Sequence, residues 1–172
     1  MSIDLSKLLQ VDGGKKEYQL ENLISSVEVN GEEYQVCQLG PMELTIVNTG
    51  DQVLGISYSG AADVMIPCSR CLEPVKYNVN FDGECEVDMK LPEKERDGDS
   101  FFVVEKSVYP EALFIDEILL RWPIRVLCRE DCKGICSRCG ANLNIRTCSC
   151  KEEATDPRMA AIKDIFSQFK EV

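Results

Sequence analysis

Histidine is absent from all 172 residues. That excludes Ser-His-Asp and Cys-His catalytic pairs, Cys₂His₂ fingers and any imidazole proton shuttle. Positive charge is scarce as well, since 19 Lys and Arg stand against 30 Asp and Glu for a formal charge of −11. A free-standing DNA-binding protein needs a broadly basic surface to displace counterions, so DNA is an unexpected partner. No stretch reaches the roughly 18 uninterrupted apolar residues of a membrane span. The opening MSIDLSKLLQVDGG carries Asp4 and Lys7 and lacks the apolar run of a secretory signal. There is no glycine-rich phosphate loop either. The chain reads as an acidic cytoplasmic protein, long enough to bury one core.

What the chain does have is ten cysteines. In a reducing compartment, paired cysteines point to metal ligands, with a disulfide-stapled secreted protein as the rival reading. Eight fall into four close pairs: Cys68/Cys71, Cys128/Cys132, Cys136/Cys139 and Cys148/Cys150. The tetrapeptide Cys-Ser-Arg-Cys occurs twice, at 68–71 and 136–139. A C-x-x-C turn lets two thiolates reach one ion, and Gly140 suits the tight backbone that follows such a turn. Soft thiolates in fours suit tetrahedral zinc, and a site with four protein ligands is closed and structural. Two Zn²⁺ per chain are therefore expected.

The short-loop arrangement joins Cys136, Cys139, Cys148 and Cys150, leaving Cys68, Cys71, Cys128 and Cys132 for the other ion. A ribbon joining the two Cys-Ser-Arg-Cys turns is the alternative, and a single zinc with free thiols a third. Cys85, on the apolar phase of a strand, reads as a small core hydrophobe. Cys37 reads as an inert thiol.

Cys132-x₃-Cys136-x₂-Cys139 also fits the triad that holds a [4Fe–4S] cluster in radical enzymes. The chain is short for their partial barrel, and the motif lies at the wrong end. A thioredoxin-like role needs a strand feeding a helix at the C-x-x-C, whereas Cys68–Cys71 sits between two predicted strands. Closed four-cysteine sites leave no open position for water, so no enzyme is expected.

The region from 18 to 91 reads as β. Asn30-Gly31 predicts a tight type I′ hairpin with Val27 opposite Tyr34. Asn48-Thr49-Gly50-Asp51 predicts a second strand–turn–strand. From Val75 to Leu91 apolar and polar residues alternate, with Gly83 as the gap in the apolar phase. A hairpin at Asp82-Gly83 would put carboxylates on the apolar face, so one long strand bent at Gly83 is preferred.

The charged loop 92–100 reads as mobile. Pro110 opens a short helix to about Trp122, with Trp122 in the core or at a hinge. A terminal helix is expected from about Thr155-Asp156-Pro157, striped with Ile162, Ile165, Phe166 and Phe169. The expected fold is α+β: an antiparallel sheet able to curl into a barrel, a short central helix, a C-terminal Cys-rich zinc segment and a terminal helix. In domain terms, 1–127 is a β-rich domain, and 128–172 is a zinc-binding segment with the terminal helix packed on it, together forming one unit.

The segments IPCSRCLEPV, IDEILLRWPI, LCREDCKGICSRCGANLNIRTCSC and DPRMAAIKDIF, in this order, resemble the YceD family over about residues 40–170. These bacterial and plastid proteins are linked to accumulation of 23S ribosomal RNA and the large ribosomal subunit. The resemblance implies a non-enzymatic biogenesis factor with a β-rich domain and a C-terminal metal-binding segment. Its motif cysteines fall on the same eight positions. The implied partner is precursor 23S rRNA or a large-subunit assembly intermediate.

Charge is unevenly spread. Residues 121–151 hold Arg121, Arg125, Arg129, Lys133, Arg138, Arg146 and Lys151 against only Glu130 and Asp131. This +5 island sits on a body that sums to −16, and it could meet phosphate. The plainer reading is that these cations neutralise thiolates and the acidic sheet. Eight thiolates and two divalent ions would take the whole chain to about −15. A second expectation uses the acidic residues Asp82, Glu84, Glu86 and Asp88, with 93–99, to hold a basic ribosomal protein. A merely solvated strand face is the alternative.

Overall fold

The computed structural model describes residues 1–96 and 98–150. Its centre is a pair of long antiparallel strands, β6 (Val53–Pro67) and β7 (Pro74–Asp88), in register from Val53↔Asp88 to Pro67↔Pro74. The expected long strand is there, unbroken at Gly83, but it ends at Asp88. Glycine at that point serves a neighbour: a Cβ on Gly83 would lie 2.6 Å from the Tyr58 hydroxyl. Gly60 likewise makes room for the ring of Phe81.

The other edge of β6 is shared. Its first half pairs with β5 (Met42–Gly50), which pairs in turn with β2 (Lys15–Leu20). Its second half pairs at Val64, Asp63 and Ala62 with β4 (Glu32–Gln38), which forms a hairpin with β3 (Ser26–Val29). The hairpin has Val27 opposite Tyr34, as Asn30-Gly31 predicts, and both turn residues have positive φ. The β5–β6 turn is Asp51-Gln52, with φ of 54° and 60°. Among the described residues no ladder joins the outer strands, so the sheet is open and the barrel expectation is not met.

Strict alternation sends one face inward. Leu44, Ile46, Leu54, Ile56, Val64, Val79, Phe81 and Val87 are all buried there. The helix α1 (Pro110–Leu120) buries Pro110, Leu113, Phe114, Glu117 and Ile118, a stripe at helical spacing. Eleven residues make a marginal helix alone, so packing holds it. Phe114 meets Phe81 edge to face at 5.3 Å. Trp122 is half-buried against Tyr34, with ring centroids 4.9 Å apart.

A small second sheet was not foreseen. It joins β1 (Ile3–Asp4), β9 (Ser107–Val108) and β8 (Val103–Val104), and it puts Ile3, Leu5 and Leu8 into the core. The charged loop also departs from expectation, because its ends are pinned. Arg96 donates to the carbonyls of Leu91 and Val103, Glu93 accepts from the N–H of Glu105, and Ser100 is buried. The terminal helix expected from 155 lies outside the described residues. No described helix is long and apolar enough to cross a membrane.

Candidate metal centres

The eight paired cysteines gather into two sets: Cys68, Cys71, Cys128 and Cys132, and Cys136, Cys139, Cys148 and Cys150. Within each set the sulfurs lie within 4.8 Å of one another.

Local backbone builds the first set. Cys68–Cys71 occupies the turn between β6 and β7. The Cys68 N–H bonds to the Glu73 carbonyl at 2.8 Å, and Leu72 adopts a positive φ of 63°. The turn then captures the chain that leaves α1. Ser69 donates its N–H to the Val126 carbonyl, and its hydroxyl accepts from the Val126 N–H. This anchor delivers Cys128 and Cys132. Arg70 closes the clamp, donating to the Cys132 carbonyl at 2.7 Å while its own carbonyl accepts from the Ile135 N–H. Gly134 is required at this contact: its φ is +77°, and a Cβ would lie 3.0 Å from the Arg70 carbonyl oxygen.

The second set is more local. Gly140, at φ +69°, returns its N–H to the Cys136 carbonyl, and the Cys136 N–H bonds to the Ala141 carbonyl. Cys136 is buried and Cys139 exposed.

Two pairs of sulfurs test the fit to a metal. Cys68 and Cys132 are 3.8 Å apart, and Cys71 and Cys128 are 3.5 Å apart. A disulfide would need about 2.05 Å. A tetrahedron with metal–sulfur bonds of about 2.3 Å has edges of about 3.8 Å. The donor set therefore fits a four-coordinate ion in a closed site.

Hydrogen bonding supports the same chemistry. Burial opposes ionisation of Cys68, but backbone N–H groups of Arg70, Cys128 and Cys71 bring it down to about 6. At Cys136 the N–H groups of Cys139 and Arg138 lead the lowering, also to about 6. Burial and its sulfur neighbours push Cys128 up to about 12, and Cys139, aided by burial, does the same to Cys150. Without a cation each set thus ionises only in part. A cation is what would stabilise all four thiolates together.

The run Cys132, Cys136, Cys139 is divided between the two sets, so these three sulfurs do not converge as a cluster triad would require. Cys68–Cys71 joins two antiparallel strands, not a strand and a helix. Cys85 is half-buried beside the core and Cys37 is exposed.

The basic candidates divide. Arg125, Arg129, Lys133, Arg138 and Arg146 are exposed, with Arg129 3.6 Å from Asp131. Arg121 is different, because it is ion-paired with the buried Glu117 on α1, which also accepts from the Tyr58 hydroxyl at 2.7 Å. It braces the helix. On the outer face of the sheet, Glu17–Thr45–Ser57–Glu84 and Gln19–Glu43–Ser59–Asp82 line up across four strands, with Glu86 beside them. All five carboxylates there are exposed.

Arg70, Gly134, Asn142 and Asn144 escaped the sequence reading. The asparagines fall inside the Cys139–Cys148 loop.

The described residues present an open antiparallel sheet and a C-terminal segment gathered into two four-cysteine sets, each of which could hold a metal ion. Residues 57–166 match the family model described as large ribosomal RNA subunit accumulation protein YceD. The chain belongs to the YceD family.

An uncharacterized protein of Mycobacterium tuberculosis is 26% identical, over 96% of this chain and 81% of its own. An uncharacterized Mycobacterium leprae protein is 24% identical over 86% and 70%, respectively. An Arabidopsis thaliana protein, named as a chloroplastic homolog 1 of large ribosomal RNA subunit accumulation protein YCED, is 36% identical over 56 residues. That match covers 33% of this chain and 17% of the plant protein. No solved structure matches.

Proposed function

We propose that this chain is a non-catalytic, zinc-bound, cytoplasmic factor for accumulation of 23S rRNA and the large ribosomal subunit in bacteria. Its basic segment contacts the backbone of precursor 23S rRNA. One observation carries the reading. Arg125, Arg129, Lys133, Arg138 and Arg146 are all exposed on the segment that the two sulfur sets hold, while the sheet face is acidic. Such polarity presents one surface to phosphate and repels RNA from the rest. Zinc in each Cys₄ set would be structural, fixing the backbone from which the arginines project. Family membership supports the ribosomal assignment.

Ultraviolet crosslinking of the full chain in cells tests this. Precursor 23S rRNA joined to peptides within 125–146 is the expected result, and crosslinks confined to other proteins would refute it.

A second reading has its own observation. The exposed carboxylates Glu17, Glu43, Asp82, Glu84 and Glu86 share one face of the sheet, where Lys15 pairs with Glu17. This predominantly acidic face suits a chaperone for a basic ribosomal protein. A ribosomal protein that stays bound after nuclease treatment would favour it, whereas nuclease-sensitive capture of pre-rRNA favours the first.

A further inference from the structure

The two sulfur sets meet through one side chain. Asn144 lies in the loop between Cys139 and Cys148, so the second set governs its position. Its Nδ2 donates to the Cys132 sulfur of the first set at 3.2 Å. Its Oδ1 accepts from the Lys133 N–H at 2.7 Å, and its own N–H bonds to the Asn142 side-chain oxygen at 2.9 Å. Around it the loops are stitched together: the Leu143 N–H bonds to the Gly134 carbonyl at 2.9 Å, and Ile135 bridges Asn142. Asn142 also reaches Glu73, in the turn that carries Cys68 and Cys71, at 3.2 Å.

We infer that Asn144 is a positioning residue that couples the two metal centres, making metal loading of one strengthen the other. The inference rests on the reading of both sulfur sets as metal centres. An amide N–H aimed at a ligating sulfur delocalises its charge and fixes its direction, as outer-shell donors do at metal sites. Drawing Cys136, Cys139, Cys148 and Cys150 together closes the loop that carries Asn144 and adds to the hydrogen bonds that hold it. Loading the second centre therefore prepays the ordering of a donor that the first centre uses. Reciprocity follows, because a coupling free energy acts equally in both directions.

Titration of the full-length protein with Co²⁺ alone, read by its visible ligand-field bands, tests this with three variants. Asn144→Ala is expected to weaken Co²⁺ at the first centre by about tenfold, the low end for loss of an outer-shell donor, and to shift that centre's bands. By reciprocity the second centre, titrated with the first already loaded, should weaken by the same factor. Asn144→Asp keeps the acceptor for Lys133 but has no N–H for sulfur, so it should bind as poorly as the alanine variant.

Replacing Cys148 and Cys150 with serine removes the second centre. This should weaken the first to the same degree, with no further loss when Asn144→Ala is added. Wild-type affinity in Asn144→Asp would show that Asn144 merely braces the Lys133 turn, and would overturn the proposal. Additive losses would overturn it too. Failure of the wild-type chain to bind two Co²⁺ ions would instead overturn the metal-centre reading itself.

Discussion

Cys68 and Cys132 stand 64 positions apart in the chain, yet their sulfurs are 3.8 Å apart, and both residues are buried. One belongs to the turn between the two longest strands, the other to the segment after the helix. Their approach joins the sheet to the C-terminal region, so metal at this set should be felt by the whole fold. Metal at the second set should be felt mainly by its own loop.

Metal content separates the two. Cys132→Ser should lower zinc from two ions per chain to one, measured by native mass spectrometry, and should lower the melting temperature. Cys148→Ser should remove one ion with a smaller thermal effect. An ion present at a thousandfold over its Kd stabilises by about 4 kcal/mol, which sets the upper scale for the first variant. Equal melting shifts for the two would contradict the different reach of the sets.

Protons should leave as metal enters. Cys128 and Cys150 are pushed up to about 12, so near pH 7 both carry protons that an entering metal ion would have to displace. Zinc affinity should fall as pH is lowered, and the calorimetric heat of binding should vary with the ionisation enthalpy of the buffer. A buffer-independent heat would show that no proton is released.

Arg121 should behave unlike its basic neighbours. Arg121→Ala leaves Glu117 buried without its cation, a loss of about 1.5–3 kcal/mol for a charged hydrogen bond. It should reduce stability in urea unfolding while leaving RNA affinity near wild type. Arg125→Ala should do the reverse.

Gly83 and Tyr58 should be energetically linked. Gly83→Ala forces the Tyr58 ring away from Glu117, with an expected cost of about 1–3 kcal/mol for an overpacked site. Tyr58→Phe has already lost the hydrogen bond to Glu117, so Gly83→Ala should cost less in that background. A double-mutant cycle on unfolding free energies measures the difference, and strict additivity would refute the link.

The legibility of the sequence follows from which signals are local. Asn30-Gly31 names its own turn, and it set Val27 against Tyr34. Alternation from Val75 onward marked β7, because one buried face imposes a period of two. The cysteine pairs were legible from spacing, and their grouping followed the shorter loop. By contrast, β1, β8 and β9 are two-residue strands and carry no period at all. Arg96 fell in a charged loop that reads as mobile, because its partners are backbone carbonyls, which sequence does not display. The pairing of Arg121 and the contact of Asn144 were hidden for the same reason: they depend on Glu117 and Cys132, brought near only by folding.

The most direct test is the salt dependence of binding between the zinc-loaded full chain and a precursor 23S rRNA fragment. It should be measured for wild type and for the combined Arg125→Ala, Arg129→Ala, Arg138→Ala variant. Each phosphate contact contributes about 0.7–0.9 to the slope of log affinity against log salt. The variant should therefore bind more weakly, with a slope shallower by about 2–3. An unchanged slope and affinity would contradict an RNA-backbone contact through this segment.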